Sequence, residues 1–403
     1  MALFEYISEL FLSGGIRPYG LCLIFLGLYW LYYRLNVIRP VKLHSKPGTK
    51  FDTFIRNCLM DILEEDYKPS FWFFEARIQT VFASLIRSII PDILYRREIL
   101  AMSDGGEVVL DWNSKNVNKA DTPIILILPG LTGNSQSEYI KNMCIITKDL
   151  GYKAVVFNYR GMGGHKLKTP RTYCATKTDD LSEVIDHIKT CFPNAPLMAV
   201  GVSLGGMKLG NYLSTNKEKV IGKLVTVMMI SVCWDPFTGC TSLEKTGLNL
   251  LLNRHLATCL VNTVKEAKHH FENDILDLKR VFSSTTIKEF DSSFTIHQFG
   301  YNDVSEYYQD ASLIGKLKNI RIPVLAINSN DDPFQPGKTI PCGEAVETDN
   351  IGILTTEYGG HIGFLEGYIP NRICFTDRVF KKLATAVFET EELSKITSSD
   401  VPE

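Results

Sequence analysis

The stretch that decides the fold, residues 197–206, has the sequence LMAVGVSLGG. An apolar run precedes a Gly-x-Ser-x-Gly motif, and a helical stretch from Met207 to Leu213 follows it. This order predicts a strand, a sharp turn with Ser203 at its tip, and a helix. Gly201 and Gly205 lack side chains, which lets the strand and the helix pack closely. The pattern predicts an exposed serine nucleophile with a helix N-terminus behind it, and the alternative is a flexible glycine turn.

Short apolar runs recur on both sides of this motif. Most of their residues are apolar and do not alternate with polar ones, which is typical of strands in a sheet covered on both faces. Helical stretches such as Asp180 to Cys191 lie between them. The alternation predicts an α/β protein with a doubly wound, mostly parallel sheet. The other runs are Val108 to Trp112, Ile124 to Leu128, Lys153 to Tyr159, Leu224 to Ile230, Val324 to Asn328 and Ile351 to Thr355.

A serine hydroxyl needs a base, and two loops after predicted strands offer its partners. His361 stands among glycines just past the last strand, and Asp332 follows the strand that ends at Asn328. The order serine, acid, histidine is that of the α/β-hydrolase fold, which we therefore predict. Asp332 is preferred to Asp331 because it begins an Asp-x-x-x-Pro pattern, while Asp331 stays an alternative. The other aspartate would cap a turn.

The intermediate of acyl transfer also needs an oxyanion hole. One donor would be the backbone N–H of Leu204, the residue after the nucleophile. The second would be the N–H of Leu131, in the glycine-containing loop after the strand Ile124 to Leu128, although that loop could be an ordinary turn. Such chemistry needs no metal and no organic cofactor, and we expect none.

Other kinds of site receive little support. The ten cysteines form no Cys-x-x-Cys pair, so we expect reduced, mostly buried thiols rather than a zinc or thioredoxin-like site. The formal net charge is −2 and no long Lys/Arg block occurs, which argues against a nucleic-acid partner. His269 and Asp274 form a His-x-x-x-x-Asp string found in some acyltransferases, which we interpret as a chance match.

The N-terminus predicts a membrane anchor. Residues 18–33 carry no charge, and aromatic side chains crowd the end of this segment, as at a membrane interface. A cleaved signal peptide fits poorly because Glu5 and Glu9 replace a positive leader; a buried helix is the other alternative. Positive charges after the segment favour a cytosolic catalytic domain; they are Arg34, Arg39, Lys42, Lys46 and Lys50.

The chain divides into four predicted regions. Residues 1–40 form the anchor, and residues 41–97 form a linker, polar over 41–50, and a helical pre-domain. Residues 98–390 form the hydrolase domain, and residues 391–403 a flexible tail. An insertion over about 235–310, with helices expected at 241–256 and 262–282, predicts a lid, or alternatively extra scaffold helices.

Several motifs besides the Gly-x-Ser-x-Gly turn resemble those of one family. Together with the residues already named, these motifs resemble those of the eukaryotic membrane-anchored α/β-hydrolase-domain proteins one and three. They also resemble a broader group that includes bacterial YheT-like esterases and yeast medium-chain ethyl ester synthases. The N-terminal anchor matches the member-three type. The additional motifs are Arg77-Ile78-Gln79-Thr80, Tyr95-Arg96-Arg97-Glu98, Asp104-Gly105-Gly106, Asp111-Trp112, Asn158-Tyr159-Arg160-Gly161, Thr169-Pro170-Arg171 and Phe299-Gly300-Tyr301.

The resemblance implies a triad of Ser203, Asp332 and His361. It also implies a phospholipase that acts on phosphatidylcholine with medium-length or oxidatively truncated acyl chains. The expected partners are an acyl ester substrate and a membrane, with no obligate protein partner. The expected location is the endoplasmic reticulum or another endomembrane.

Two rival functions remain open. An acyltransferase, ester synthase or general carboxylesterase could use the same triad, and competition between water and added alcohol would separate transfer from hydrolysis. A non-catalytic membrane scaffold could keep the fold, but its Ser203 would not react with a fluorophosphonate probe.

Overall fold

The computed structural model describes residues 18–114, 120–272 and 276–390. Nine strands form one sheet, in the order β2-β11-β10-β9-β8-β6-β7-β5-β4, and β1 pairs with β3 separately. The strands are β1 Arg39–Pro40, β2 Lys42–His44, β3 Asp66–Tyr67, β4 Arg96–Ala101, β5 Glu107–Asn113, β6 Ile124–Leu128, β7 Lys153–Asn158, β8 Leu197–Val202, β9 Thr226–Ile230, β10 Val324–Ser329 and β11 Ile351–Thr356.

The centre of the sheet is parallel and its edges are antiparallel. Strands β7, β6, β8, β9, β10 and β11 pair in parallel. At one edge β5 and β4 run antiparallel, and at the other β2 does. Every residue of the central strands is buried, which is the burial that continuous apolar runs indicate. The predicted doubly wound, mostly parallel sheet is confirmed.

Helices cover both faces of this sheet. Helices α6 and α7 contribute to the core on one face, and α2, α5 and α15 to the core on the other. The α-helices are α1 Pro18–Tyr32, α2 Lys50–Cys58, α3 Met60–Glu64, α4 Ala76–Arg87, α5 Glu138–Asp149, α6 Asp179–Cys191, α7 Leu204–Asn216, α8 Pro236–Leu243, α9 Leu248–Glu266, α10 Leu278–Phe282, α11 Ile287–Phe290, α12 Ile296–Phe299, α13 Val304–Ala311, α14 Cys342–Ala345 and α15 Phe375–Glu389.

The segment over 41–50 differs from the polar linker that its composition predicted. Lys42–His44 is the edge strand β2, which pairs antiparallel with β11, and α2 begins at Lys50. Val41, just before β2, is buried in the core below, and Leu43 within β2 packs against the same core, while Lys42 is exposed. One apolar residue in such a short strand is too weak a pattern to reveal an edge strand.

The helices between 235 and 310 also begin and end elsewhere than predicted. A helix was expected over 241–256, but α8 ends at Leu243 and α9 begins at Leu248. Gly247, with φ of 88°, breaks the run because its left-handed backbone cannot continue a helix. These helices lie over the carboxyl ends of the strands, and side chains from α8 and α9 line the cavity at Ser203.

Helix α1 is tied to the domain at its C-terminal end. Together with the π-helical turn Tyr33–Val37, it is the one helix of the described residues that is long and apolar enough to cross a membrane, by length and composition. The hydroxyls of Tyr29 and Tyr33 each donate a 2.7 Å hydrogen bond, to the carbonyls of Phe71 and Pro69. Residues 1–17 of the predicted anchor and the predicted tail 391–403 lie outside the described residues.

Candidate active site

Ser203 stands on a strained turn between β8 and α7. Its backbone has φ of 54° and ψ of −115°, a conformation that non-glycine residues rarely adopt. A Cβ on Gly201 would lie 2.5 Å from the carbonyl carbon of Gly205, and a Cβ on Gly205 would lie 2.3 Å from the carbonyl oxygen of Leu128. The strand and the helix can therefore pack together only if residue 201 is glycine, and the turn can pack against the end of β6 only if residue 205 is glycine.

The three side chains predicted as a triad meet at the carboxyl end of the sheet. The Ser203 hydroxyl lies 2.9 Å from Nε2 of His361, and Nδ1 of His361 lies 2.8 Å from Oδ2 of Asp332. The other carboxylate oxygen of Asp332 accepts backbone N–H groups of Phe334 and Gln335, at 2.7 and 3.1 Å. With Asp332 accepting at Nδ1, the imidazole presents its free Nε2 to the serine proton.

The neighbouring carboxylate has a different contact. Oδ1 of Asp331 accepts the backbone N–H of Gly360 at 2.9 Å, so Asp331 supports the histidine loop rather than the imidazole. Its Oδ2 is buried and has no hydrogen-bond partner within the described part of the chain. Burial raises the pKa of Asp331 to about 7. The structure thus places Asp332, and not Asp331, against His361.

Helix α4 holds the histidine loop from outside the sheet, a role that the sequence did not reveal. Oγ1 of Thr80 accepts the backbone N–H of His361 at 2.9 Å. The buried guanidinium of Arg87 donates to the carbonyls of Ile362 and Gly363, both at 2.8 Å. The one sign of it in the sequence was the family motif at residues 77–80, for which the sequence predicted no function.

The loop predicted to supply the second oxyanion donor lies against Ser203. A Cβ on Gly130 would lie 3.3 Å from Cβ of Ser203. The hydroxyl of Tyr139 accepts the N–H of Gly130 at 2.9 Å, and the hydroxyl of Tyr173 accepts the N–H of Thr132 at 3.1 Å. These tyrosines fix the loop on either side of residue 131. Leu131 and Leu204, the first residue of α7, both line the cavity at Ser203, and their donor roles stay predictions.

An apolar cavity of about 260 Å³ opens at Ser203 and His361. One buried carboxyl, Asp291, interrupts its apolar wall, and burial raises the pKa of Asp291 to about 6. Asp291 accepts hydrogen bonds from the hydroxyls of Thr295 and Tyr308, at 2.7 and 3.0 Å. Most of the wall is aliphatic or aromatic, with Leu131, Met207, Leu243, Leu256, Leu260, Val264, Ile287, Phe290, Phe294 and Phe334 among its residues.

Other candidate ligands do not gather at this site. His269 packs on His270 with ring centroids 4.1 Å apart and does not line the cavity. Asp274, its partner in the acyltransferase-like string, lies outside the described residues. Within the ranges that the structure covers, no group of three His, Cys, Asp or Glu side chains could hold a metal ion.

The sheet, the strained serine turn and the Ser-His-Asp hydrogen bonds define an α/β hydrolase. The chain belongs to the α/β-hydrolase family, since the family described as "alpha/beta hydrolase fold" matches residues 123–368. The chain is 41% identical over 384 residues to "Phospholipase ABHD3" of Bos taurus, a match that covers 94% of this chain and 92% of that protein. The human protein of the same name is 41% identical over 386 residues, with the same two shares. "Protein abhd-3.2" of Caenorhabditis elegans is 34% identical over 366 residues, which cover 91% of this chain and 95% of that protein.

Proposed function

We propose that this protein is a membrane-anchored serine hydrolase that cleaves fatty-acyl esters of phospholipids. The observation that carries the proposal is the unbroken hydrogen-bond series from Asp332 through His361 to Ser203, at the mouth of an apolar cavity. Two similar proteins, from Bos taurus and Homo sapiens, are named phospholipases, which supports a phospholipid rather than a soluble ester as substrate.

In the proposed reaction, Nε2 of His361 takes the Ser203 proton while Oγ attacks the ester carbonyl carbon. The N–H groups of Leu204 and Leu131 would stabilise the oxyanion. Collapse of the tetrahedral intermediate breaks the bond to the glycerol oxygen, which receives the proton from His361 and leaves as a lysophospholipid. Water, deprotonated by the same imidazole, then attacks the acyl-Ser203 ester. The bond to Oγ breaks, the imidazole returns the proton to Oγ, and the fatty acid is released.

For the acyl chain, we propose a medium-length or oxidatively truncated fatty acid on phosphatidylcholine. The limited volume and apolar wall of the cavity suit a short chain. Asp291, with Thr295 and Tyr308, adds one polar cluster to this wall, which suits a chain that carries an oxygen.

For location, we propose that α1 anchors the protein in the endoplasmic reticulum or another endomembrane, with the hydrolase domain on the cytosolic side. The apolar length of α1 and the basic residues after it support this arrangement. An anchor concentrates the enzyme where its lipid substrates are.

The test is release of fatty acid and lysophospholipid from phosphatidylcholine vesicles by the full-length protein. Ser203→Ala should reduce turnover about 10⁵-fold or more, because the nucleophile is lost. Ser214→Ala, which removes another buried hydroxyl from α7, is the matched control and should keep wild-type turnover. A wild-type protein that a fluorophosphonate labels at Ser203, but that releases no product from any phospholipid, would refute the phospholipase assignment while leaving the serine hydrolase assignment intact.

A further inference from the structure

Helix α4 exposes large apolar side chains and buries the polar side chains of Gln79 and Arg87. Its exposed side carries Ile78, Phe82 and Leu85, and Ile89 continues the same line just beyond the helix. These positions are spaced by three or four residues, so they share one side of the helix. We call these four residues the outer stripe. Ile89 is 75% exposed and Leu85 is 56% exposed, which is unusual for four aligned apolar residues on a protein that contacts only water.

The opposite side of α4 explains why its large apolar side chains are exposed. Gln79 and Arg87 are buried there, and Thr80 lies beside them. Oε1 of Gln79 accepts the backbone N–H of Leu365 at 2.9 Å, in addition to the contacts of Thr80 and Arg87 with the histidine loop. Because the inner side presents polar atoms to that loop, its buried apolar residues are the small Ala76 and Ala83, and the large apolar side chains of the outer stripe face away from the core. Their exposed surface is therefore available to a partner outside the domain.

The outer stripe continues into the segment that binds the anchor. Phe73 stacks on Phe82 with ring centroids 4.3 Å apart, and Trp72 beside it is 55% exposed. Phe71, the next residue back, packs against Tyr29 and Tyr33 at the end of α1. The anchor and the stripe therefore meet within residues 71–74.

Phe71 also packs against Tyr368, with ring centroids 5.4 Å apart. The residue after Tyr368 is Ile369, which is 87% exposed. Ile369 is thus another exposed apolar side chain close to residues 71–74, where the anchor and the outer stripe meet, although it is far away in the sequence.

We propose that the outer stripe and Trp72 insert into the interfacial region of the lipid bilayer that holds α1. Tryptophan and aliphatic side chains on one side of a helix are the composition that binds this region. The bilayer is preferred to a protein partner because the fixed end of α1 brings a membrane to residues 71–74. This inference rests on the proposed membrane anchor and does not depend on which ester is cleaved. It gives the membrane direct contact with the helix that positions His361.

Tryptophan quenching tests the insertion directly. The chain has four tryptophans, and Trp112 and Trp234 are buried, so Trp30 and Trp72 report the anchor and the stripe. The full-length protein, with Ser203→Ala to keep the lipids intact, is reconstituted in vesicles of phosphatidylcholine with or without bromine on the acyl chains. Trp30→Phe leaves Trp72 as the exposed reporter, and Trp72→Phe leaves Trp30.

We expect bromolipid to quench the fluorescence of both variants, and Trp30→Phe/Trp72→Phe to be quenched least. Quenching of Trp72→Phe alone would mean that the protein is anchored but that the stripe stays out of the bilayer, which overturns the inference. If neither variant is quenched, both the anchor and the inference fail. None of these outcomes requires hydrolysis, so they are separate from the phospholipase test.

Polar substitutions give a second test. Leu85→Gln and Ile89→Gln should each lower turnover of vesicle phosphatidylcholine about three- to tenfold, since each loses apolar burial in lipid. Their turnover of the water-soluble ester p-nitrophenyl butyrate should not change. Ile314→Gln, at a residue 45% exposed outside the stripe, is the matched control and should change neither rate. Equal loss on both substrates, or a shift in oligomeric state that points to a second copy as the partner, would contradict insertion.

Discussion

The turn that carries Ser203 and the loop that carries His361 are built in different ways. The serine turn is determined mostly by its neighbours in the sequence, which are the strand before it, the helix after it and Gly201, while Gly205 lets the turn pack against the end of β6. The histidine loop depends on distant residues: Thr80, its backbone partner, is 281 residues away in the chain. The turn at Ser203 is thus encoded largely by the local sequence, whereas the position of His361 needs the assembled fold.

The largest expected effect tests the two aspartates beside the histidine. Asp332→Asn should lower turnover about 10⁴-fold, because an amide at this position can favour the wrong imidazole tautomer. Asp331→Asn should stay within about tenfold of wild type, because an amide oxygen can still accept the Gly360 N–H and the raised pKa of Asp331 keeps much of it neutral at pH 7. Phospholipid turnover of the two purified variants gives the comparison. Equal losses would show that the carboxylates share one role.

A smaller effect tests the serine turn. Gly205→Ala should lower the free energy of unfolding by about 3 kcal/mol, because its Cβ would meet the backbone of Leu128, which cannot move aside cheaply. Gly343→Ala is the control, since a Cβ there meets nothing within 4 Å and alanine favours the short helix α14. Thermal unfolding of the full-length protein in detergent, followed by tryptophan fluorescence, measures both. Similar melting temperatures for the two variants would mean that the turn is not tightly packed.

The smallest effect tests the histidine loop. Thr80→Val keeps the shape of the side chain but removes the acceptor for the His361 N–H, so turnover should fall about tenfold. Thr80→Ser keeps the hydroxyl and should restore most of the activity. The reaction rate of Ser203 with a fluorophosphonate should fall in parallel with turnover, because both need the imidazole in place. Unchanged turnover in Thr80→Val would mean that Asp331 and Arg87 alone hold the loop.

Elements with a strong local pattern were predictable from the sequence. The central strands are mostly apolar runs, and the serine turn has its strand, glycines and helix in the expected order. These two patterns were enough to predict the class of fold. The edge strand β2 was missed because one apolar residue among charged neighbours gives no period. The break between α8 and α9 was missed because a glycine within a helical pattern does not reveal its backbone angle.

By itself, the sequence determined which residues could carry the chemistry: a serine at a turn, a histidine among glycines and a pair of adjacent aspartates. Only the tertiary structure decided which aspartate meets the imidazole, because Asp331 and Asp332 differ by one position and point to different partners. It also decided what holds His361 in place, since Thr80 and Arg87 lie far from it in the chain. Such contacts depend on how distant segments pack together, and no local pattern of residues records that.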